Sequence, residues 1–187
     1  MKDLINKILL DMIPVILGIL IALLIGNCKE YADDKRFVKK ILFSVSEELK
    51  ENKSDLEKAL NEHKSTIDTI NKYLHSSDIR IGHIISKTNG LRMINIRNTS
   101  WKTFLNSNME LIDYKSISLL TGIDESKENL RIQEGKLVDF IYENLTSDDV
   151  IKKNLLLLMI NDLVSLEQGL LDMHAEFLNL KNITPKK

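Results

Sequence analysis

The constraint that dominates this chain is an apolar run near its start. From Met12 to Ile25 no side chain is charged or polar, and Ile8, Leu9 and Leu10 extend the run on the far side of Asp11. With Gly26 the stretch approaches the roughly 20 residues that a helix needs to cross a bilayer. A cleaved signal peptide would carry an A-x-A-like site and a small polar break, and a lipoprotein signal a small residue before its cysteine. Here Asn27 precedes Cys28, and charged residues resume at Lys29. A retained span over residues 1–28 is therefore preferred to a signal or a buried helix. Asp11 suits an N-cap, which would place Pro14 in the first turn, where proline is tolerated.

Within the run, Gly18, Ala22 and Gly26 recur every fourth residue. At about 3.6 residues per turn they share one face, the small-x-x-x-small pattern that lets two helix backbones approach closely in lipid. A lone span has no other helix of its own chain to pack on. The stripe thus predicts a homo-oligomer. Ile19 and Leu23 flank it and are the candidate ring of a hydrophobic gate, should the oligomer conduct. No polar stripe lines the span, which argues against constant conduction. Behind it come Lys29, Lys35, Arg36, Lys39 and Lys40, against only Lys2 and Lys7 ahead. Positive-inside counting places the C-terminal part in the cytoplasm.

Beyond the span the pattern turns amphipathic. Val38, Leu42, Val45, Leu49, Asn52, Leu56, His63, Ile67, Ile70 and Leu74 recur at spacings of three and four, with Ala59 and Leu60 filling the gap. That is a heptad-like seam over residues 29–75, read either as a bundle helix or as a stalk paired with its own copies. Asn52 and His63 would specify register in a coiled coil; the more ordinary expectation is that they sit half-exposed. Residues 76–98 break the pattern. Asn89-Gly90 turns a small hairpin or closes a short helix, and a short helix plus connector is preferred.

Residues 99–183 read as a helical bundle. Thr99 or Ser100 caps a short helix through Trp101, Phe104 and Leu105, ending at Asn106-Ser107-Asn108. Asp113 caps a second, from Tyr114 towards Leu145. Ser147 or Asp148 opens a third, whose apolar set is Ile151, Leu155, Leu156, Ile160, Leu163, Leu166, Leu170, Met173, Phe177 and Leu180. "LLLLMI" at 155–160 is too short to span and reads as core buried on more than one side. Leu156, Ile160, Leu163 and Phe177 should face the 114–145 helix, with Lys152 and Glu167 on the surface and His174 at its flank. The last two helices form an antiparallel hairpin, and 184–187 is a tail. The fold class is all-α: one N-terminal transmembrane helix continuing into a long helix, then an antiparallel bundle.

Catalytic patterns are lacking. His63, His75, His83 and His174 are scattered, without H-E-x-x-H or a cysteine partner for zinc, and no phosphate-binding or nucleophile motif occurs. Glu47-Glu48 and Asp148-Asp149 suit solvated faces or caps. Cys28, the single cysteine, forms no internal disulfide and reads as a small apolar filler. A net charge of −1, with no basic run interleaved with aromatics, gives no reason to expect nucleic acid. Neither enzyme, metal nor cofactor is expected.

"GILIAL" followed by "NCKE", and "SWKTFLNSNMELI" about 70 residues later, resembles an uncharacterised bacterial family of N-terminally membrane-anchored helical proteins. Asn27-Cys28-Lys29-Glu30 stands where the family has Asn-Trp-Asn-Glu, and Ser107-Asn108 where it has Ser-Gly. Asparagine follows glycine in tolerating a left-handed turn. The resemblance implies a single-pass protein of the bacterial inner membrane and supplies no reaction. Two functions are then expected in order. The first is an anchored, self-associating protein that presents its bundle to a protein partner or for signalling. The second is a homo-oligomeric pore gated by the bundle.

Overall fold

The computed structural model describes residues 2–88, 90–105 and 111–180, with side chains from Met12 onward except those of Phe104 and Leu105. The side chains of Ile8, Leu9 and Leu10, the Asn89 half of the turn signal, Ser107-Asn108 and the 184–187 tail lie outside the described residues. In chain order the elements are α1 (Lys2–Tyr73), α2 (Ile81–Lys87), α3 (Thr99–Leu105), α4 (Tyr114–Asn144) and α5 (Val150–Leu178). All are helices, as the periodicities require.

The long helix α1 has 72 residues, about 108 Å at 1.5 Å per residue. It starts at Lys2, so Asp11 is not its N-cap and Pro14 lies inside it. Proline there forgoes one backbone bond, a loss that apolar membrane helices tolerate. No glycine or proline falls between Gly26 and the end of α1, so nothing interrupts the rod. Residues 12–33 are exposed; Val38 is the first buried residue.

From Val38 the seam is covered by the chain's own helices, which selects the bundle helix over the self-paired stalk. Val38, Leu42, Val45, Leu49, Leu56, Ala59, Leu60 and Ile70 are buried, while Ile67 and Leu74 are half-buried. Helix α5 packs on both α1 and α4. Lys153 reaches the end of α1 while Glu167 meets His63, so α5 runs antiparallel to α1. It is also antiparallel to α4, with Lys115 at one end of α4 paired to Glu176 at the far end of α5.

Caps set the helix starts. Asp113 accepts from the Ser116 amide at 3.0 Å and from its hydroxyl at 2.7 Å. Helix α5 is capped by Asp149, which accepts from Ile151 N at 2.7 Å, and not by Ser147 or Asp148. The Ser147 carbonyl is engaged elsewhere, accepting the Ile81 amide at 2.9 Å. That bond and its neighbour, Gly82 N to Leu145 O at 2.9 Å, dock the start of α2 on the α4–α5 turn.

Burial of α5 follows one face only, correcting the expectation for "LLLLMI". Leu156 and Ile160 are fully buried, but Leu155 is 45% and Leu158 61% exposed, and Ile151 is outward as well. Three helices around one core leave α5 an outer side.

Gly82 is required by the α2 contact. A Cβ there would stand 2.9 Å from the Leu145 carbonyl oxygen, a backbone atom that cannot swing away. Gly82→Ala should therefore destabilise the bundle by about 1–3 kcal/mol, read as a fall in the urea midpoint. An unchanged midpoint would mean that α2 slides without cost.

Candidate functional site

Two features stand out: the bare first part of α1 and a polar layer inside the bundle. The chain folds the second with care. Residues 91–98 form neither helix nor strand, and among the described residues no strand lies beside them, so their backbone groups need other partners. Side chains of the helices supply these. Asn52 makes both bonds a strand neighbour would make, donating Nδ2 to Arg97 O at 2.7 Å and accepting Arg97 N at 2.9 Å. Glu134 Oε1 accepts Ile94 N at 2.9 Å. Glu48 Oε2 accepts Ser100 N at 3.0 Å just beyond.

His63 is the hub of this layer. Its Nε2 donates to the Arg92 carbonyl, which can only accept, at 3.0 Å, and its Nδ1 lies 3.0 Å from Glu167 Oε2. Helices α1 and α5 and the 91–98 strap are thereby joined through one imidazole. Outside the layer, Arg92 pairs with Glu62 at 2.7 Å and Arg97 with Glu51. At the distal end, Lys153 is fully buried and donates to Ser76 O at 2.6 Å and Tyr73 O at 3.3 Å. Its ammonium sits against carbonyls at and just beyond the C-terminal end of α1, where a cation suits the helix dipole.

These placements correct several sequence expectations. Asn52 and His63 are buried, not half-exposed; Glu167 is buried, not on the surface; His174 is buried, not flanking. Each was legible in one respect. Lys153, Leu156, Ile160, Leu163, Glu167, Leu170, His174 and Phe177 form an unbroken three-and-four spacing, all on the buried face. Position in that register, ahead of residue type, marked them as inward.

Two titrating groups respond to this burial in opposite directions. Desolvation pushes the Glu134 carboxyl above its ordinary range; the nearby Glu167 adds to that, while the Ile94 amide and His63 oppose it. Desolvation holds His174 below its usual value, partly offset by its bond to Leu170 O. Its Nδ1 donates to Leu170 O at 2.7 Å.

Acidic side chains outside the layer make local contacts. Glu47 pairs with Lys50, and the carboxylates of Glu48 and Asp149 hold backbone amides. Among the described residues no three His, Cys, Asp or Glu converge to hold a metal. An open hollow of about 540 Å³ beside the strap is lined by Glu62, Ser65, Lys87, Thr88 and Arg92. Its charges are engaged, Arg92 with Glu62 and Lys87 over the Tyr73 ring.

The membrane-facing candidates lie together on the free part of α1. A Cβ at Gly18 or Gly26 would meet nothing within 4 Å, and Ala22 is exposed between them. Ile19 is 56% and Leu23 58% exposed. Cys28 is exposed at the end of the run. Two helices are long and apolar enough to cross a membrane. The apolar stretch of α1 is buried nowhere, whereas α5 carries the core face of the bundle. No family model, curated protein or solved structure matches the chain.

The polar layer yields two measurable consequences. Glu167→Ala leaves His63 buried without its partner and should cost about 3–5 kcal/mol, against less than about 0.5 kcal/mol for Lys152→Ala on the surface. Equal losses in chemical denaturation would mean the pair carries no weight. For Glu134 the folded value lies above the unfolded one, so its contribution is present at low pH and lost as pH rises through the raised value. Glu134→Gln keeps an acceptor for Ile94 N without the charge. It should melt higher than wild type at pH 7, the gap closing as pH falls; a gap independent of pH would remove the carboxyl from the account.

Proposed function

We propose that the chain is a single-pass membrane protein of the bacterial inner membrane. Residues up to Gly26 form the anchor, and residues 38–180 form a cytoplasmic helical bundle that presents a surface to a protein partner. In this reading the protein is not an enzyme; its likeness to the family of N-terminally anchored helical proteins speaks for the anchor and supplies no reaction. The observation that carries the proposal is the bare first part of α1. From Met12 to Ile25 its large apolar side chains are about half exposed or more, and none rests on the bundle. Soluble monomers rarely expose a contiguous apolar surface of this kind, and burying it in lipid removes the cost.

Gly18, Ala22 and Gly26 are assigned to self-association. In lipid, dispersion between closely approaching backbones drives helix pairing, and a glycine–alanine groove allows the approach. The openness found beside Gly18 and Gly26 is what a second helix would fill.

Cross-linking in detergent tests the assembly: Gly18→Leu and Ala22→Leu should each reduce the cross-linked oligomer relative to wild type. Wild-type patterns from both would remove the stripe from the interface. The same preparation separates anchor from pore. Leu23→Ser and Ile19→Ser should leave liposomes tight if the span only anchors; ion leakage from either would replace this reading with the gated pore.

A further inference from the structure

Past the span, α1 sorts its charges. At about 100° per residue, Lys29, Lys35, Arg36, Lys39 and Lys40 occupy one arc of the helix, about 140° wide. Glu30, Asp33 and Asp34 occupy the neighbouring arc, about 100° wide by the same periodicity. The boundary is marked by a loose ion pair, Arg36 to Asp33 at 3.9 Å. Among the described residues no carboxylate stands at ion-pair distance from Lys29, Lys35, Lys39 or Lys40. All five cations are exposed, and the bundle covers a different side, through Val38, Leu42 and Val45. Lys29, Arg36 and Lys40 share the arc of the Gly18–Ala22–Gly26 stripe, whereas Lys35 and Lys39 lie about 140° and 100° from its middle, so pairing of spans would leave those two to the side and free.

Height along the rod fits a lipid surface. The helix is continuous from the apolar run into this segment, so each residue climbs about 1.5 Å from Ile25. Tyr31, 49% exposed, then lies about 9 Å beyond the run, at headgroup level, where aromatic side chains collect. Lys35 stands about 15 Å beyond it, near enough for its long side chain to reach down and for its charge to act over a Debye length of about 10 Å.

We propose that the basic face of α1 from Lys29 to Lys40 binds anionic phospholipid headgroups, selecting them from a mixed bilayer. The inference rests on the reading of residues up to Gly26 as a membrane span. It goes beyond that reading in assigning the chemistry of the lipid. The carboxylates in the adjacent arc repel the same headgroups and so restrict contact to one side of the helix.

The lone cysteine offers a probe at the right height. Full-length protein labelled with a donor fluorophore at Cys28 is reconstituted in bilayers of phosphatidylcholine and phosphatidylglycerol. Energy transfer to acceptor-labelled phosphatidylglycerol is compared with transfer to acceptor-labelled phosphatidylcholine at equal mole fraction. Wild type should transfer more to the anionic acceptor, and salt near 1 M should abolish the difference by screening. One lysine at the surface favours an anionic lipid about fivefold. Lys35→Glu/Lys39→Glu should therefore erase the preference, and Lys136→Glu/Lys152→Glu, an equal charge change on the distal bundle, should retain it. Equal transfer to both acceptors in wild type, or a preference that survives Lys35→Glu/Lys39→Glu, would overturn the proposal. Flotation keeps the two readings apart: protein that fails to float with vesicles ends the span reading and this one with it, whereas inserted protein blind to headgroup overturns this one alone.

Discussion

A segment of irregular backbone that crosses a helical bundle must find its hydrogen-bond partners among side chains. Residues 91–98 depend on Asn52, His63 and Glu134 for theirs. Leaving such groups unpaired in the interior costs more than any one of the bonds returns, so the three side chains have little freedom to move. His63 in turn needs Glu167. Helices α1, α4 and α5 are thereby locked in axial register through polar contacts, while the apolar seam around them supplies non-directional attraction. Leucine and isoleucine alone would tolerate a shift by one turn; an imidazole between a carboxylate and a carbonyl does not.

That lock has a mechanical consequence because α1 belongs to two environments. The helix that carries Asn52 and His63 is the same uninterrupted helix that carries Gly18, Ala22 and Gly26. Its lower part has no contact with the bundle, and its upper part is clamped from Val38 to the Lys153 cap at Tyr73. A rotation of the proposed span would be carried into the bundle without a flexible joint to absorb it. A partner gripping the bundle would act on the span by the same route.

The buried charges also distribute pH sensitivity unevenly. Glu134 and His174 both sit where burial disfavours the ionised form, yet acidification relieves one and burdens the other. Neutralising a buried carboxylate removes a desolvation penalty, while charging a buried imidazole creates one. The net response of the bundle is a difference between the two.

Much of the architecture was legible in the residues. The apolar run, the small-residue stripe, the seam from Val38 to Ile70 and the Asp113 cap are local patterns, set by a 3.6-residue period and by short-range hydrogen bonding. The start of α1 at Lys2 escaped, because Asp11 and Pro14 carry start signals that the helix runs through, Pro14 at the loss of one backbone bond. Glu167, His174 and Lys153 were misplaced or passed over, because a polar residue on an apolar face is ambiguous until its partner is known, and the partner of Glu167 is 104 residues away. By itself, then, the sequence determined which segments are helical, which faces are apolar and that one stretch is suited to lipid. Only the tertiary structure decided that the seam is filled by the chain's own α5, that the strap borrows its hydrogen bonds from helices, and that charged side chains belong inside. Helical periodicity acts between neighbours, whereas desolvating a charge is permitted only by contacts that folding brings together.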